Sequence, residues 1–245
     1  MSSIDRYFDN LKTLIARIHE TQAEAMEAAA RRIADCLKDG GMIYTFGTGH
    51  GHLLALELFY RAGGMVRVCP IMDEKLMLHV SAAGSTLEER KEHWVDILLE
   101  KYPIKASDVL ISASNSGRNA VPVLLAKAAR ERGAYVIALT SMNHSGAVSS
   151  RNSLGLRLFE AADLVLDNGG VLGDAAIEFD DGAMVGPTST AVGAAILQAI
   201  VCRVKEISLE ESFDAEFYKS SNVDGGDEWN DRLIERYRDI IPGLM

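Results

Sequence analysis

The sequence predicts a three-layer α/β/α fold around a mostly parallel sheet, and three observations carry that prediction. Short apolar runs typical of buried strands alternate with longer amphipathic segments typical of helices. Several apolar runs end in turns of small polar residues, as at Gly47–His52 and Ser112–Asn119. No internal repeat or low-complexity linker interrupts this alternation. Strands that alternate with helices imply crossover connections and a parallel sheet covered on both faces.

The N-terminal region, residues 1–39, is predicted to be helical. Apolar residues from Ile4 to Leu37 recur at spacings of three and four, which indicates one or two amphipathic helices. Gly40-Gly41 ends the pattern. We expect this segment to pack on the rest of the chain or at an interface between two copies of it.

The central region, residues 40–208, is predicted to form the sheet and its covering helices. The strands are expected at 42–46, 66–71, 109–111, 134–140 and 162–167. The helices are expected at 53–61, 85–101, 120–132 and 187–207. Overlapping capping boxes within Ser85–Glu89 suggest the start of the second of these helices, whereas residues 73–84 have no clear pattern. The tail, residues 209–245, predicts two short helices around Gly225-Gly226.

Composition and charge exclude several classes of function. With 25 Lys and Arg against 35 Asp and Glu, the formal charge of −10 argues against a general nucleic-acid or anionic-membrane surface. No apolar run has the length of a membrane span, and the N-terminus lacks a secretory signal pattern. The three scattered cysteines predict neither a disulfide framework nor a metal site. We therefore expect a cytoplasmic protein without a metal or cofactor.

The segment Asp108–Pro122 is the strongest functional signal. Its apolar run, Val109–Ile111, stops at three serines and a glycine, and a helical pattern follows from about Ala120. Amide groups at a helix N-terminus suit an anion, and serine hydroxyls can donate hydrogen bonds to phosphate oxygens. The segment therefore predicts a phosphate cradle. Alternatively, Ser114 and Ser116 serve only as helix caps and turn residues.

Neighbouring turns strengthen the prediction of an anion site. Ligands of parallel sheets bind beyond the carboxyl ends of the strands. This rule brings Gly47–His52, Ser112–Asn119 and Thr140–Ser145 to one crevice. Because the net charge is negative, an anionic substrate must be held there by local donors rather than by the overall field.

The first glycine turn permits two other interpretations. Gly47-x-Gly49-x-Gly51 suggests a dinucleotide site, but His52 stands where that fingerprint needs glycine, and no acidic residue ends the second strand. His50 and His52 suggest metal ligands, yet no further His or Cys cluster accompanies them. Histidines that form hydrogen bonds near the site are the favoured interpretation.

Four of these stretches resemble the SIS (sugar isomerase) domain family, phosphosugar-binding modules with a flavodoxin-like sheet. Phe46–His52 is similar to the family's Gly-x-Gly-x-Ser turn, and Ser112–Asn119 is similar to its Ser-x-Ser-Gly-x-Thr phosphate turn. Leu139–Ser141 and Pro187–Thr190 match a polar strand end and the start of a late helix. The N-terminal helix and the tail resemble a bacterial phosphosugar-binding branch of the family, with phosphoheptose isomerase a more distant relative.

The resemblance implies that Ser114, Ser116 and Asn119 hold phosphate, together with Thr48 and His52. Asn119 replaces the usual threonine but can donate through its amide. Homodimers are usual in the family, and the apolar stripe of the N-terminal helix suits such an interface. The complete set of residues expected to bind phosphate or sugar is Gly47, Thr48, Gly49, His50, Ser112, Ser114, Asn115, Ser116, Gly117, Asn119, Thr140, Ser141 and Thr188.

The expected function is binding of a sugar phosphate, with aldose–ketose isomerisation as the favoured activity. This reaction needs a proton-transferring base and an acid for the carbonyl oxygen. Glu57 is the favoured candidate base, with Glu88 second, and His52 and His79 are candidate acids. The alternatives are a noncatalytic phosphosugar sensor and an etherase-type lyase acting on an amino-sugar phosphate. Gln198 is not followed by the histidine of phosphoheptose isomerases, so their catalytic pair does not transfer directly.

Overall fold

A computed structural model describes all 245 residues of the chain, Met1–Met245. Two helices come first, α1 (Ser3–Thr21) and α2 (Ala23–Lys38). In α1 the Ser2 hydroxyl accepts from the Asp5 N–H and the Asp5 carboxylate accepts from the Ser2 N–H, a capping box that fixes the helix start. The sequence predicted one or two helices in the N-terminal region, and the structure has two, α1 and α2.

The central elements follow in alternation, and their bounds are these. The strands are β1 (Ile43–Gly47), β2 (Val68–Ile71), β3 (Val109–Ala113), β4 (Tyr135–Thr140) and β5 (Leu164–Asp167). The helices are α3 (Gly51–Glu57), α4 (Ala82–Glu88), α5 (Trp94–Lys101), α6 (Ala120–Glu131), α7 (Met142–Ala147) and α8 (Leu158–Ala161). A hairpin of β6 (Ala175–Glu178) and β7 (Met184–Pro187) then precedes α9 (Ser189–Glu210) and α10 (Gly226–Tyr237).

The five central strands form one parallel sheet in the order β2-β1-β3-β4-β5. This is the flavodoxin-like order, whose switch point lies between β1 and β3. Alternate residues of each strand face opposite layers: Ile43 and Val109 pack with α2 and α9, whereas Tyr44 and Leu110 pack with α5 and α6. The predicted three-layer α/β/α fold is confirmed.

Three local predictions differ from the structure. The helix expected at 85–101 is two helices, because Ser81 and not Ser85 caps α4: its hydroxyl accepts from the Gly84 N–H at 3.1 Å. The tail holds one helix, α10, and the stretch before it pairs with Met65 through Phe217 as an isolated antiparallel bridge. The hairpin of β6 and β7 was not predicted. Its strands are four residues long, too short for a clear period-2 pattern.

An apolar surface remains on α1. Ile4 and Phe8 are 68% and 55% exposed, and with Phe179 and Val185 of the hairpin they line a shallow groove. The predicted homodimer would cover this surface, and it stays a prediction. None of the helices combines the length and the apolar character that crossing a membrane requires.

Candidate functional site

A polar cleft of about 310 Å³ opens at the carboxyl ends of the strands. The turns after β1, β3, β4 and β5 meet there with the start of α9. The cleft is lined by Thr48, Gly49, His50, Gly51, Leu54, Leu78, Thr86, Glu89, Ala113, Ser114, Asn115, Ser116, Asn119, Leu139, His144, Asn168, Asp174, Ser189 and Thr190. None of these is Lys or Arg, so an anion in the cleft must be held by neutral donors and histidine.

The glycines of the first turn let it pack tightly against β3. A Cβ on Gly47 would lie 2.3 Å from the Gly51 carbonyl, and one on Gly51 would lie 2.6 Å from the Ala113 oxygen. Both contacts are closer than any side chain permits, which explains the spacing of these glycines without a nucleotide cofactor. The close approach brings Thr48 and His50 to the same cleft as the turn after β3.

The second turn, residues 114–119, is held open toward the cleft. The Ser114 hydroxyl accepts from the Gly117 N–H at 3.2 Å, and Gly117 has a positive φ of 55°. A Cβ at Gly117 would lie 2.7 Å from the Ser145 Oγ, so glycine is needed here on two grounds. Asn119 is the N-cap residue of α6, yet its side chain makes no capping hydrogen bond. Helix capping by Ser114 or Ser116 therefore does not explain the serines, and both line the cleft.

Glu89 is the residue that sequence reasoning missed. Its carboxylate accepts hydrogen bonds from the Thr48 hydroxyl and, at 2.6 Å, from the Asn119 amide, so it joins the first two turns. Its backbone oxygen also accepts from the Val121 N–H of α6 at 3.0 Å. Burial raises the pKa of this carboxyl, and the hydrogen bond from Thr48 lowers it by less. The capping-box motif concealed Glu89, because that motif gives such a glutamate a structural role.

Glu88, the neighbouring candidate base, lies outside the cleft. Its carboxylate accepts from the Lys91 ammonium at 2.6 Å and from the Trp94 indole N–H at 2.9 Å. These hydrogen bonds lower the pKa of Glu88. The adjacent residues Glu88 and Glu89 therefore differ in position: the Glu89 carboxylate lies in the cleft, and the Glu88 carboxylate links α4 to α5 through Trp94.

The far wall of the cleft contains three further residues that the sequence did not single out. Burial lowers the pKa of His144 on α7. Asn168 donates to the Asn115 side-chain oxygen at 2.9 Å, and Asp174 accepts from the Ser189 N–H at 2.9 Å at the start of α9. The signal for Asn168 is its place directly after a strand. Asp174 belongs to the loop before the unpredicted hairpin, so no pattern marked it.

Several buried polar atoms around the cleft have no hydrogen-bond partner in the protein. Buried polar groups are nearly always paired, so a cluster of exceptions requires an explanation. These atoms are Ser112 Oγ, Asn115 Nδ2, Asn119 Oδ1, His144 Nδ1 and Ser145 Oγ. All five belong to the turns and strand ends beside the cleft. Asn115, Asn119 and His144 line the cleft and are placed to meet a polar ligand, whereas Ser112 and Ser145 lie behind it.

Seven of the predicted phosphate or sugar ligands line the cleft, and six lie behind it. Those on the cleft are Thr48, Gly49, His50, Ser114, Asn115, Ser116 and Asn119. Those behind it are Gly47, Ser112, Gly117, Thr140, Ser141 and Thr188. Several of the second group shape the turns: Thr140 donates to the Asn115 backbone oxygen at 3.2 Å, and Ser141 donates to the Gly170 oxygen at 2.7 Å. At the start of α9, Ser189 and Thr190 reach the cleft in place of Thr188.

The three predicted catalytic residues do not line the cleft. Glu57 ends α3, where its carboxylate accepts from Arg61 at 2.9 Å and from the Gln198 amide at 3.0 Å. His52 and His79 face a separate cavity of about 720 Å³, with their rings 6.4 Å apart. His52 faces this cavity because it lies two residues beyond His50, on another side of the first turn of α3. No group of three or more His, Cys, Asp or Glu side chains has a geometry suited to a metal ion.

Comparison with known sequences gives relatives along the whole chain. A family model for the SIS domain matches residues 6–141. The UPF0309 protein of Listeria innocua is 40% identical over 244 residues, with 98% of both chains covered. The UPF0309 protein of Geobacillus thermodenitrificans is 39% identical over 243 residues and covers 99% of this chain and 98% of its own.

Solved structures share the fold at low identity. Phosphoheptose isomerase GmhA from Neisseria gonorrhoeae superposes with a TM-score of 0.57 at 17% identity, covering 83% of this chain and 97% of its own. The Vibrio vulnificus NanR protein, complexed with ManNAc-6P, gives a TM-score of 0.54 at 17% identity, covering 100% of this chain and 70% of its own. Because the family model matches more than half of the chain and the relatives match nearly all of it, the chain belongs to the SIS domain family.

Proposed function

We propose that the protein binds a sugar phosphate in this cleft and interconverts its aldose and ketose forms. The observation that carries the proposal is the set of unpartnered buried polar atoms at the strand ends. Such atoms lose their hydrogen bonds to water on burial, and a polar ligand can replace those hydrogen bonds. A phosphosugar has hydroxyls along its length and phosphate oxygens at one end, and it matches this mixture of donors and acceptors.

The phosphate would lie against the turn at residues 114–119. This turn opens the twelve-residue helix α6, whose N-terminus carries partial positive charge, although its Val121 N–H already donates to the Glu89 oxygen and Pro122 has no N–H. Ser114 and Ser116 line the cleft at the same place, and Thr48 faces them from the first turn. Phosphoheptose isomerase GmhA and the ManNAc-6P complex of NanR share the fold, which supports a sugar phosphate as the ligand class.

The chemical step requires a base beside the carbon that neighbours the carbonyl group. Glu89 is placed for this role, since its partly buried carboxyl has a raised pKa and lies between the two turns. It would take the proton from that carbon while the carbonyl oxygen gains a proton, which gives an enediol. Return of the proton to the adjacent carbon, with loss of the other hydroxyl proton, completes the isomerisation.

His144 is the proposed partner of Glu89. Burial lowers its pKa, so the imidazole is neutral at pH 7 and donates a hydrogen bond to the carbonyl oxygen as a neutral electrophile. Its Nδ1 has no protein partner.

The alternative is phosphosugar binding without turnover. It is favoured by one observation: Gln198 of α9 is followed at position 202 by cysteine rather than by the histidine that the resemblance to phosphoheptose isomerases requires. Measuring product after incubation with each bound sugar phosphate separates the two functions, and the nature of the product separates isomerisation from etherase-type cleavage.

The test is a thermal-shift screen of aldose, ketose and amino-sugar phosphates with the unphosphorylated sugars alongside. Ligands that bind the folded state raise its melting temperature. We expect shifts with phosphorylated sugars only, and we expect Ser116→Ala to weaken their binding about tenfold. Ser107→Ala, at the opposite end of β3, is the matched control and should bind as the wild type does. Equal affinities of the Ser116 variant and the wild type for every sugar phosphate would contradict the proposed site.

A further inference from the structure

Three arginines gather at the edge of the cleft, on three segments that hydrogen bonds join. Arg90 directly follows Glu89, and Arg118 lies between Ser116 and Asn119 of the phosphate turn. The Arg151 N–H donates to the Arg118 oxygen at 2.8 Å, and the Val121 N–H donates to the Glu89 oxygen at 3.0 Å. The segments around positions 90, 118 and 151 therefore form one continuous surface, here called the arginine cluster.

The arginine cluster forms no ion pair, and Glu89 is the acidic side chain on which its charges act. None of its three guanidinium groups takes part in an ion pair, although the chain has ten more acidic than basic residues. The Arg118 guanidinium instead donates to the Ser149 backbone oxygen at 2.7 Å and to its hydroxyl at 3.0 Å. Like charges that lie close together without a counter-charge repel one another. In an acidic protein such a cluster is a surface suited to an external anion.

The charges of the arginine cluster act on residues of the cleft. The pKa of Arg118 is lowered by burial and by the charges of Arg151 and Arg90. The charges of Arg90 and Arg151 act on Glu89, and the charge of Arg118 acts on His144, both of which line the cleft. The cleft itself contains no Lys or Arg, so the phosphate site would leave all three guanidinium groups free.

We infer that Arg90, Arg118 and Arg151 bind a second anionic group of the ligand, so that the substrate is a sugar phosphate carrying a further carboxylate or phosphate. This inference rests on the proposed function, because it assumes that the first phosphate occupies the turn at residues 114–119. Guanidinium groups bind both oxyanions through paired N–H donors, so carboxylate and phosphate share the recognition chemistry.

The experiment compares three ligands that share a six-carbon chain and a 6-phosphate: glucose 6-phosphate, 6-phosphogluconate and glucose 1,6-bisphosphate. Calorimetry on the full-length protein should give at least tenfold tighter binding of one or both doubly anionic ligands than of glucose 6-phosphate. The double variant Arg90→Gln, Arg151→Gln, which leaves the turn at residues 114–119 unchanged, should lose most of that difference and bind glucose 6-phosphate within twofold of the wild type. Preference for 6-phosphogluconate identifies a carboxylate as the second group, and preference for the bisphosphate identifies a phosphate.

Two further variants separate the possible failures. Arg151→Gln alone keeps the Arg118–Ser149 hydrogen bonds and should reduce, in part, the affinity difference between the doubly anionic ligands and glucose 6-phosphate. Arg232→Gln on α10 removes the same charge far from the cleft and should leave that affinity difference unchanged. Ser116→Ala should weaken the binding of all three ligands by the same factor. Equal wild-type affinities for the three ligands, or an equal loss of affinity for all three in the double variant, overturns the second anion site and leaves the proposed function standing. Failure of all three to bind overturns both.

Discussion

The two ends of the parallel sheet differ in the hydrogen bonding of their buried polar groups. At the amino ends, the Asp108 carboxylate is 4% exposed and accepts from the Met42 N–H at 2.9 Å and the Lys105 N–H at 2.7 Å. Asp163, which is exposed, also accepts from the Val136 N–H at 2.9 Å and from Arg130 at 2.6 Å. At the carboxyl ends, five buried polar atoms have no partner.

The contrast distinguishes a structural end of the sheet from a binding end. A paired buried carboxylate stabilises the fold because it satisfies backbone donors that would otherwise be stranded. Unpartnered donors and acceptors cost stability, and a protein keeps them where a ligand supplies the missing hydrogen bonds. Asp108 and Glu89 are chemically similar side chains, each held by hydrogen bonds at one end of the sheet, and we expect different roles for them; substituting each of them tests the comparison.

The largest effect is expected from Glu89→Gln at the binding end. If Glu89 is the proton-transferring base, its amide variant should lose at least about 100-fold in kcat while ligand affinity changes little. A coupled assay of isomer formation, run with the sugar phosphate selected by the thermal-shift screen, measures both quantities. Glu88→Gln is the matched control, since its carboxylate pairs with Lys91 and Trp94 outside the cleft. Full activity of the Glu89→Gln variant would show that Glu89 takes no part in the chemical step.

A smaller effect, on stability alone, is expected from Asp108→Ala at the structural end. The substitution leaves the buried Met42 N–H without an acceptor, removes the acceptor of the exposed Lys105 as well, and should cost about 1–3 kcal/mol of unfolding free energy. Urea denaturation measures the loss, and the exposed Asp39→Ala gives the reference for removing a surface aspartate. Ligand affinity per folded molecule should stay at the wild-type value. A change in affinity as large as the change in stability would show that the two ends are not independent.

The smallest effect is the pH dependence of stability. Burial raises the folded-state pKa of Glu89 above the ordinary glutamate value of 4.5, so the folded chain binds this proton more tightly than the unfolded chain. Its contribution to stability is therefore full below pH 4.5 and is lost as pH rises through the raised folded pKa. In melting curves between pH 4 and pH 8, the stability of Glu89→Gln relative to the wild type should increase across this window. Curves that run parallel would show that burial does not disfavour the ionised carboxylate.

The strand ends were predictable because their signals are local. The apolar run before Ser112 and the small residues after it mark a buried strand and a tight turn, and a parallel sheet brings such turns to one edge. Ser114, Asn115, Ser116 and Asn119 follow from that rule alone and all line the cleft.

The acid–base residues were not predictable from the same signals. Glu57 lies among apolar neighbours, which suggested burial at a site, but its position at the end of α3 directs it to Arg61 and Gln198. Glu89 directly follows α4, which is Ala82–Glu88 with Ser81 as its N-cap. Successive positions at a helix end differ by about 100° around the axis, so the adjacent Glu88 and Glu89 face different surroundings, and the local pattern does not say which of them lines the cleft.

The sequence by itself determined the fold class, the family and the serine-rich turn after β3, since hydrophobic periodicity and small-residue turns are properties of neighbouring positions. Only the tertiary structure decided which carboxylate faces the cleft, that Asp174 lies opposite His144 beside it, and that Arg90, Arg118 and Arg151 form one surface. Those arrangements depend on the register of segments tens of residues apart. That register is fixed by packing and by backbone hydrogen bonds between them, and no local pattern of residues encodes it.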